Sequence, residues 1–179
     1  MSSLIHSGPY QVIKKDPIDR LFRKLTEMVL TLNPNGSLDE TTYKQLRPQH
    51  KQPPRIYGLP KIHKPNIPLR PTVSYVNTFA YNLSSYLSSI LSPLAGRSIY
   101  TVQNSTKFVQ QIKPITISDH KTIVSFDVES LFTNVPIKGA IEAALRRLQT
   151  DDKLSSRTTL SPSQIAQLLE FTLTSTYFM

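Results

Sequence analysis

The chain has 179 residues, 39% of them hydrophobic, a formal net charge of +9 and no cysteine. That length suits one domain or part of a larger one, and the missing cysteines exclude a disulfide framework and a thiolate zinc site. No run approaches the ~20 apolar residues of a membrane-spanning helix and the first residues lack the apolar stretch of a secretory signal, so an intracellular location with no membrane partner is expected.

Residues 1–15 carry little pattern. Asp16 then offers a cap and Pro17 a first turn for a helix in which Ile18, Leu21, Phe22, Leu25, Met28, Val29 and Leu32 recur at helical spacing. Asn33-Pro34-Asn35-Gly36 stops it. Ser37-Leu38-Asp39-Glu40 has the spacing of a capping box, which predicts a short second helix to Leu46, ended by Arg47-Pro48.

Seven prolines between Pro48 and Pro71 rule out a regular helix there. Within this stretch, Arg55-Ile-Tyr-Gly-Leu-Pro-Lys-Ile-His-Lys-Pro65 and Leu69-Arg-Pro-Thr-Val-Ser74 mix cations with aliphatic and aromatic residues. They predict two short strands joined by a turn at Lys64–Pro68. Lysine acts on phosphate as a point charge and arginine as a bidentate fork, so such a hairpin can grip phosphates. His63 reads as a surface or packing residue, because no second histidine or acid lies at metal-ligand spacing.

A longer amphipathic helix follows, with Phe79, Ala80, Leu83, Leu87, Ile90, Leu91 and Leu94 on one stripe and Pro93 and Gly96 closing it. A further short helix is expected over 105–113, with Phe108, Val109 and Ile112 inward. Lys121-Thr-Ile-Val-Ser-Phe-Asp-Val128 alternates β-branched and aromatic residues and predicts a mostly buried strand with one carboxylate, Asp127, near its end. A buried ionised carboxylate needs a cation, a metal or donors, so Asp127 is either a ligand or an acceptor for backbone donors where the strand ends. After Pro136, Ile137, Ile141, Ala144, Leu145 and Leu148 predict a helix packed back on the sheet. Residues 150–159 read as a polar loop, Ser161-Pro162 opens a last helix, and Thr176–Met179 reads as the start of another strand.

The charge is concentrated. Between Thr41 and Ser118 there is no Asp or Glu but ten Lys and Arg, more than the whole net charge of +9. A segment of one sign attracts polyanions, with nucleic acid or nucleotide phosphate the natural partner and a solvated basic face the alternative.

The run from Pro53 to Ser74, followed by Ser125-Phe-Asp-Val-Glu-Ser-Leu-Phe-Thr-Asn-Val-Pro136, closely resembles the reverse transcriptases of Penelope-like retroelements. Asn104-Ser-Thr-Lys-Phe-Val109 and Leu169–Phe178 match in order and spacing, and the resemblance covers residues 14–179. It implies an α+β fold of the right-hand polymerase type, comprising the fingers and the first part of the palm: a helical extension over 1–46, a fingers region over 47–120 and an incomplete palm over 121–179. It also implies an RNA-directed DNA polymerase that works on an RNA template and a DNA primer with deoxynucleoside triphosphates, in the nucleus.

Residue by residue, Arg70 matches the fingers arginine that holds the incoming phosphates, and Lys64, or in second place Lys61, matches the lysine of the preceding strand. Asp127 matches the first catalytic aspartate, whose carboxylate holds magnesium together with the Val128 carbonyl. Phe132 matches the ring that blocks a ribose 2′-hydroxyl, a role compatible with core packing. The family's chemistry uses two magnesium ions ~3.5–4 Å apart and therefore at least two acids. Here the sequence departs from the family, since the later strand turn with paired aspartates is missing. Glu129 gives no reason to replace that pair, and Asp151-Asp152 lie in a polar stretch. The expectation is a truncated, inactive chain, with a catalytically dead nucleic-acid-binding remnant of a decayed element, or an interaction scaffold, as alternatives.

Overall fold

The computed structural model describes residues 10–33, 38–96, 98–128 and 134–179. Helix α1 spans Ile18–Leu32 and buries Leu21, Leu25, Val29 and Leu32, a stripe set by their three- and four-residue spacing. Asp16 sits just ahead of the cap position, which Pro17 takes, and its carboxylate accepts the Ile18 N–H at 2.9 Å. Helix α2, Glu40–Leu46, is capped by Asp39, which accepts the Thr42 N–H at 2.9 Å. The Ser37 expected in that role lies outside the described residues. Asp39 also takes the Thr42 hydroxyl at 2.5 Å, and together these bonds hold its carboxyl below the usual range.

Strands β1, Arg55–Pro60, and β2, Leu69–Ser74, pair antiparallel as predicted. Helix α3, Tyr81–Leu91, continues into a 3-10 turn over Ser92–Leu94, and the chain leaves it through Gly96 at φ +70°, a left-handed conformation that a side chain would strain. Helix α4 spans Ser105–Ile112, α5 Ile137–Gln149 and α6 Pro162–Thr174. A capping box opens α6: Ser161 accepts the Gln164 N–H at 3.2 Å while the Gln164 side chain accepts the Ser161 N–H at 2.8 Å.

The described residues form a mixed α+β structure whose core is helical. Leu25 and Val29 of α1, Leu46 of α2, Leu83, Leu87 and Ile90 of α3, Leu148 of α5, and Ile165, Leu168 and Phe171 of α6 share one cluster. It draws on residues from 21 to 171, across all three sequence segments. Burying each of these side chains contributes about 1.5–3 kcal/mol before the entropy of ordering is set against it. At its centre the rings of Phe79 and Phe171 meet edge to face, with centroids 6.4 Å apart and planes at 79°.

Four expectations need correction. Residues 121–128 do not form a strand: they run without turn or bend, and their side chains are exposed, Phe126 at 90% and Ile123 at 76%. A strand exists only when paired, and the only sheet among the described residues is the distant-in-sequence hairpin, whose partners are each other. Helix α4 forms, but Phe108, Val109 and Ile112 are exposed rather than buried. Helix α5 packs on α6, and the only sheet among the described residues is the β1–β2 hairpin. Thr176–Met179 stops short of a strand, although the Met179 N–H donates to the Pro54 carbonyl at 3.0 Å and lays the segment beside the approach to β1.

The stretch read as a polar loop is more ordered than its composition suggests. Leu154 and Leu160 enter the core, Asp151 pairs with Arg157 in a largely enclosed site, and Tyr86 bonds Thr158 at 2.6 Å. Among the described residues no helix is long and apolar enough to cross a membrane.

Candidate nucleic-acid interface

The hairpin positions the candidate binding residues. Its register pairs Arg55 with Ser74, Tyr57 with Thr72 and Leu59 with Arg70. A further bond from the Lys61 N–H to the Pro68 carbonyl, 2.9 Å, carries the same register one step beyond the strands. Side chains alternate between faces along a strand, so Arg55, Tyr57, Leu59 and Lys61 share one face with Arg70, Thr72 and Ser74. The other face carries Ile56, Leu69 and Val73, all partly buried.

Two tight turns close the tip, with the Lys64 N–H bonded to the Lys61 carbonyl at 3.0 Å and the Ile67 N–H to the Lys64 carbonyl at 3.1 Å. This double turn drives Asn66 and Ile67 to φ +60° and +42°. Asparagine accepts that conformation readily; a β-branched isoleucine is strained by it. Lys64 and His63 are exposed on this tip.

No ion pair neutralises Arg55, Lys61, Lys64 or Arg70 among the described residues. The face they form is therefore a concentration of unbalanced positive charge, with the half-exposed Tyr57 between Arg55 and Arg70 and the half-exposed Leu59 opposite Arg70. Cations interleaved with an aromatic side chain are what a single strand of nucleic acid requires: charge for the backbone and a flat ring for the bases. The hairpin's edges carry Pro60 and Pro71, which have no N–H to offer and so discourage edge-to-edge pairing with another chain.

Of the residues singled out in the sequence, the structure brings Lys61 and Arg70 onto one face and sets Lys64 at the adjoining tip. It adds Arg55 and Tyr57, which sequence reading placed in the basic run without giving them a role. Their signal is the two-residue alternation combined with the register. Asp127 is not joined to this group: it is exposed, and no hydrogen bond or ion pair connects it to the hairpin among the described residues. Phe132 lies outside the described residues, as does Glu129.

Magnesium prefers six oxygen ligands in a rigid octahedron and is held by carboxylates acting together. Among the described residues no three acids, histidines or cysteines gather into a possible metal site. Asp127 and the exposed Val128 therefore do not by themselves fit a magnesium centre. No protein-family model, curated protein or solved structure matches the chain.

Proposed function

We propose that this chain is the fingers and first palm segment of a reverse transcriptase, and that its own activity is to bind nucleic acid through the β1–β2 hairpin. The observation that carries the reading is the single hairpin face with Arg55 and Arg70 exposed and Lys61 half-buried beside them, and no acid paired with them among the described residues. The order of sequence motifs supports the family. In this reading Arg70 and Lys64 hold the triphosphate of an incoming deoxynucleotide, Tyr57 and Leu59 face the template, and Phe132 discriminates against ribose. Asp127 is the first of the several acids that an RNA-directed DNA polymerase requires. Template-directed synthesis then belongs to the complete polymerase, while binding is available to this chain alone.

Fluorescence titration of a labelled RNA–DNA primer-template at low salt tests the proposal. The chain should bind, and incorporate nothing. Lys64→Glu with Arg70→Glu should weaken binding at least about tenfold, and Arg146→Glu with Arg147→Glu, at the C-terminal end of α5, should weaken it much less. Equal losses in the two double variants would assign binding to diffuse charge and overturn the hairpin as the interface.

A further inference from the structure

Residues 121–128 are unsatisfied in two ways. The backbone N–H and C=O groups of 122–128 take no partner among the described residues. Ile123, Val124, Phe126 and Val128 are also 76%, 66%, 90% and 63% exposed. A turn-free run of β-branched and aromatic residues with its hydrogen-bonding groups open is a template for strand pairing. The prolines that guard the hairpin edges have no counterpart here, since the run contains neither proline nor glycine.

We propose that residues 121–127 pair antiparallel with the same residues of a second copy of this chain, about a twofold axis at Val124. Charge selects both the partner and the register. Lys121 and Asp127 bracket Val124 at equal separation, so this pairing sets each Lys121 opposite Asp127 of the other copy and creates two cross-strand ion pairs. Opposed residues on an antiparallel pair have Cβ atoms about 4.5–5.5 Å apart, within reach of a lysine. A parallel, in-register arrangement would instead stack lysine on lysine and aspartate on aspartate. A shift of one residue would lose both ion pairs and turn every side chain of one strand to the other face.

The same register sets Val124 against Val124 and Phe126 against Thr122, so Val124 and Phe126 of both copies share one face of the ribbon, while Ile123 lies on the other face, opposite Ser125. Each copy also brings α4, whose uncovered Phe108, Val109 and Ile112 lie shortly before the strand in sequence and supply an apolar stripe for that face. The twofold pairing uses the same edge on both copies, an isologous contact. The pairing engages Asp127, which the polymerase reading assigns to its acids, but the hairpin titration above does not involve residues 121–127, so the two readings fail separately.

Sedimentation equilibrium of the full chain over a concentration series at low salt tests this. The wild type should show a monomer–dimer equilibrium. Lys121→Asp and Asp127→Lys should each weaken the dimer about tenfold, because each turns two attractive contacts into two repulsive ones. The double variant, Lys121→Asp with Asp127→Lys, should return to within about threefold of the wild type. Both positions are exposed, so neither substitution perturbs the core. A wild type that stays monomeric throughout, single variants that match it, a double variant as weak as the singles, or open-ended association insensitive to these charges would each overturn the proposal.

Discussion

The Tyr177 hydroxyl donates to Oδ1 of Asp16 at 3.0 Å, joining two ends of the described chain that are 161 positions apart in sequence. Beside this bond Tyr10 meets Phe178 edge to face, with ring centroids 5.4 Å apart. The segment after α6 is thus tied to the approach to α1, and Asp16 serves two donors at once, Tyr177 and the Ile18 N–H.

Burial, then the bond to Asp16 and that carboxylate's charge, raises the Tyr177 pKa well above its ordinary 10.0. A pKa raised on folding means that the native state holds its proton more tightly than the unfolded chain. Its contribution is complete below pH 10 and is lost as pH rises from there toward the folded value. Burial shifts Tyr75 and Tyr86 in the same direction. Tyr177→Phe should cost about 0.5–1.5 kcal/mol near pH 7. Thermal melts between pH 8 and 11 should show the wild type losing stability above pH 10, and the variant losing less.

Asp151 and Arg157 make a different kind of contact. Their side chains retain 6% and 17% of their exposure, Asp151 also accepts the Lys153 N–H at 3.2 Å, and the Arg157 Nε is enclosed without a partner among the described residues. Asp151→Ala leaves a guanidinium in an enclosed site and should destabilise the chain by about 3 kcal/mol, whereas Asp151→Leu with Arg157→Met should recover most of that loss. Urea denaturation of the wild type and both variants measures it; a double variant as unstable as Asp151→Ala would mean that the pair holds the loop's shape as well as its charge.

Local signals made the helices legible in the sequence. The stripes of α1, α3 and α6 follow from apolar spacing alone, and the start of α6 follows from Ser161-Pro162, although the capping box with Gln164 is seen only in the structure. The hairpin was legible for the opposite reason: prolines forbade helix and left only strands and a turn. Residues 121–128 show where this ends. Alternating β-branched residues state that a segment will pair, but the partner is non-local, and no local pattern supplies one. The same gap left the apolar stripe of α4 without a cover. In the candidate site, the cations were visible as composition; only the register, with Arg55 and Lys61 on the same side as Arg70, made them one surface.

Phe79 offers the most direct test of the core. It is 2% exposed, precedes α3, and its ring packs edge to face on Phe171 of α6. Phe171 in turn lies under Lys24 of α1, whose Nζ is 5.7 Å from the ring centroid. One aromatic pair therefore bears on α1, α3 and α6. Phe79→Ala should cost about 3–5 kcal/mol, and Phe79→Leu less, because it keeps more of the volume. The midpoint in urea should fall in that order with little change of slope.

The hairpin face predicts different consequences for neighbours in sequence. Arg55 and Tyr57 point to the cationic face, while Ile56 points to the partly buried one. If binding is to single-stranded nucleic acid, Arg55→Gln should lower the slope of log affinity against log salt by about 0.7, the share of one phosphate contact on a single strand. Tyr57→Ala should leave that slope unchanged yet weaken binding by about 1–3 kcal/mol, the worth of one base stacked on an aromatic ring. Ile56→Ala should act on folding, lowering the melting temperature without altering the salt slope. Titrating a single-stranded oligonucleotide at four or five salt concentrations separates the three. A Tyr57→Ala variant with wild-type affinity would show that the face reads phosphate alone and leaves the bases untouched.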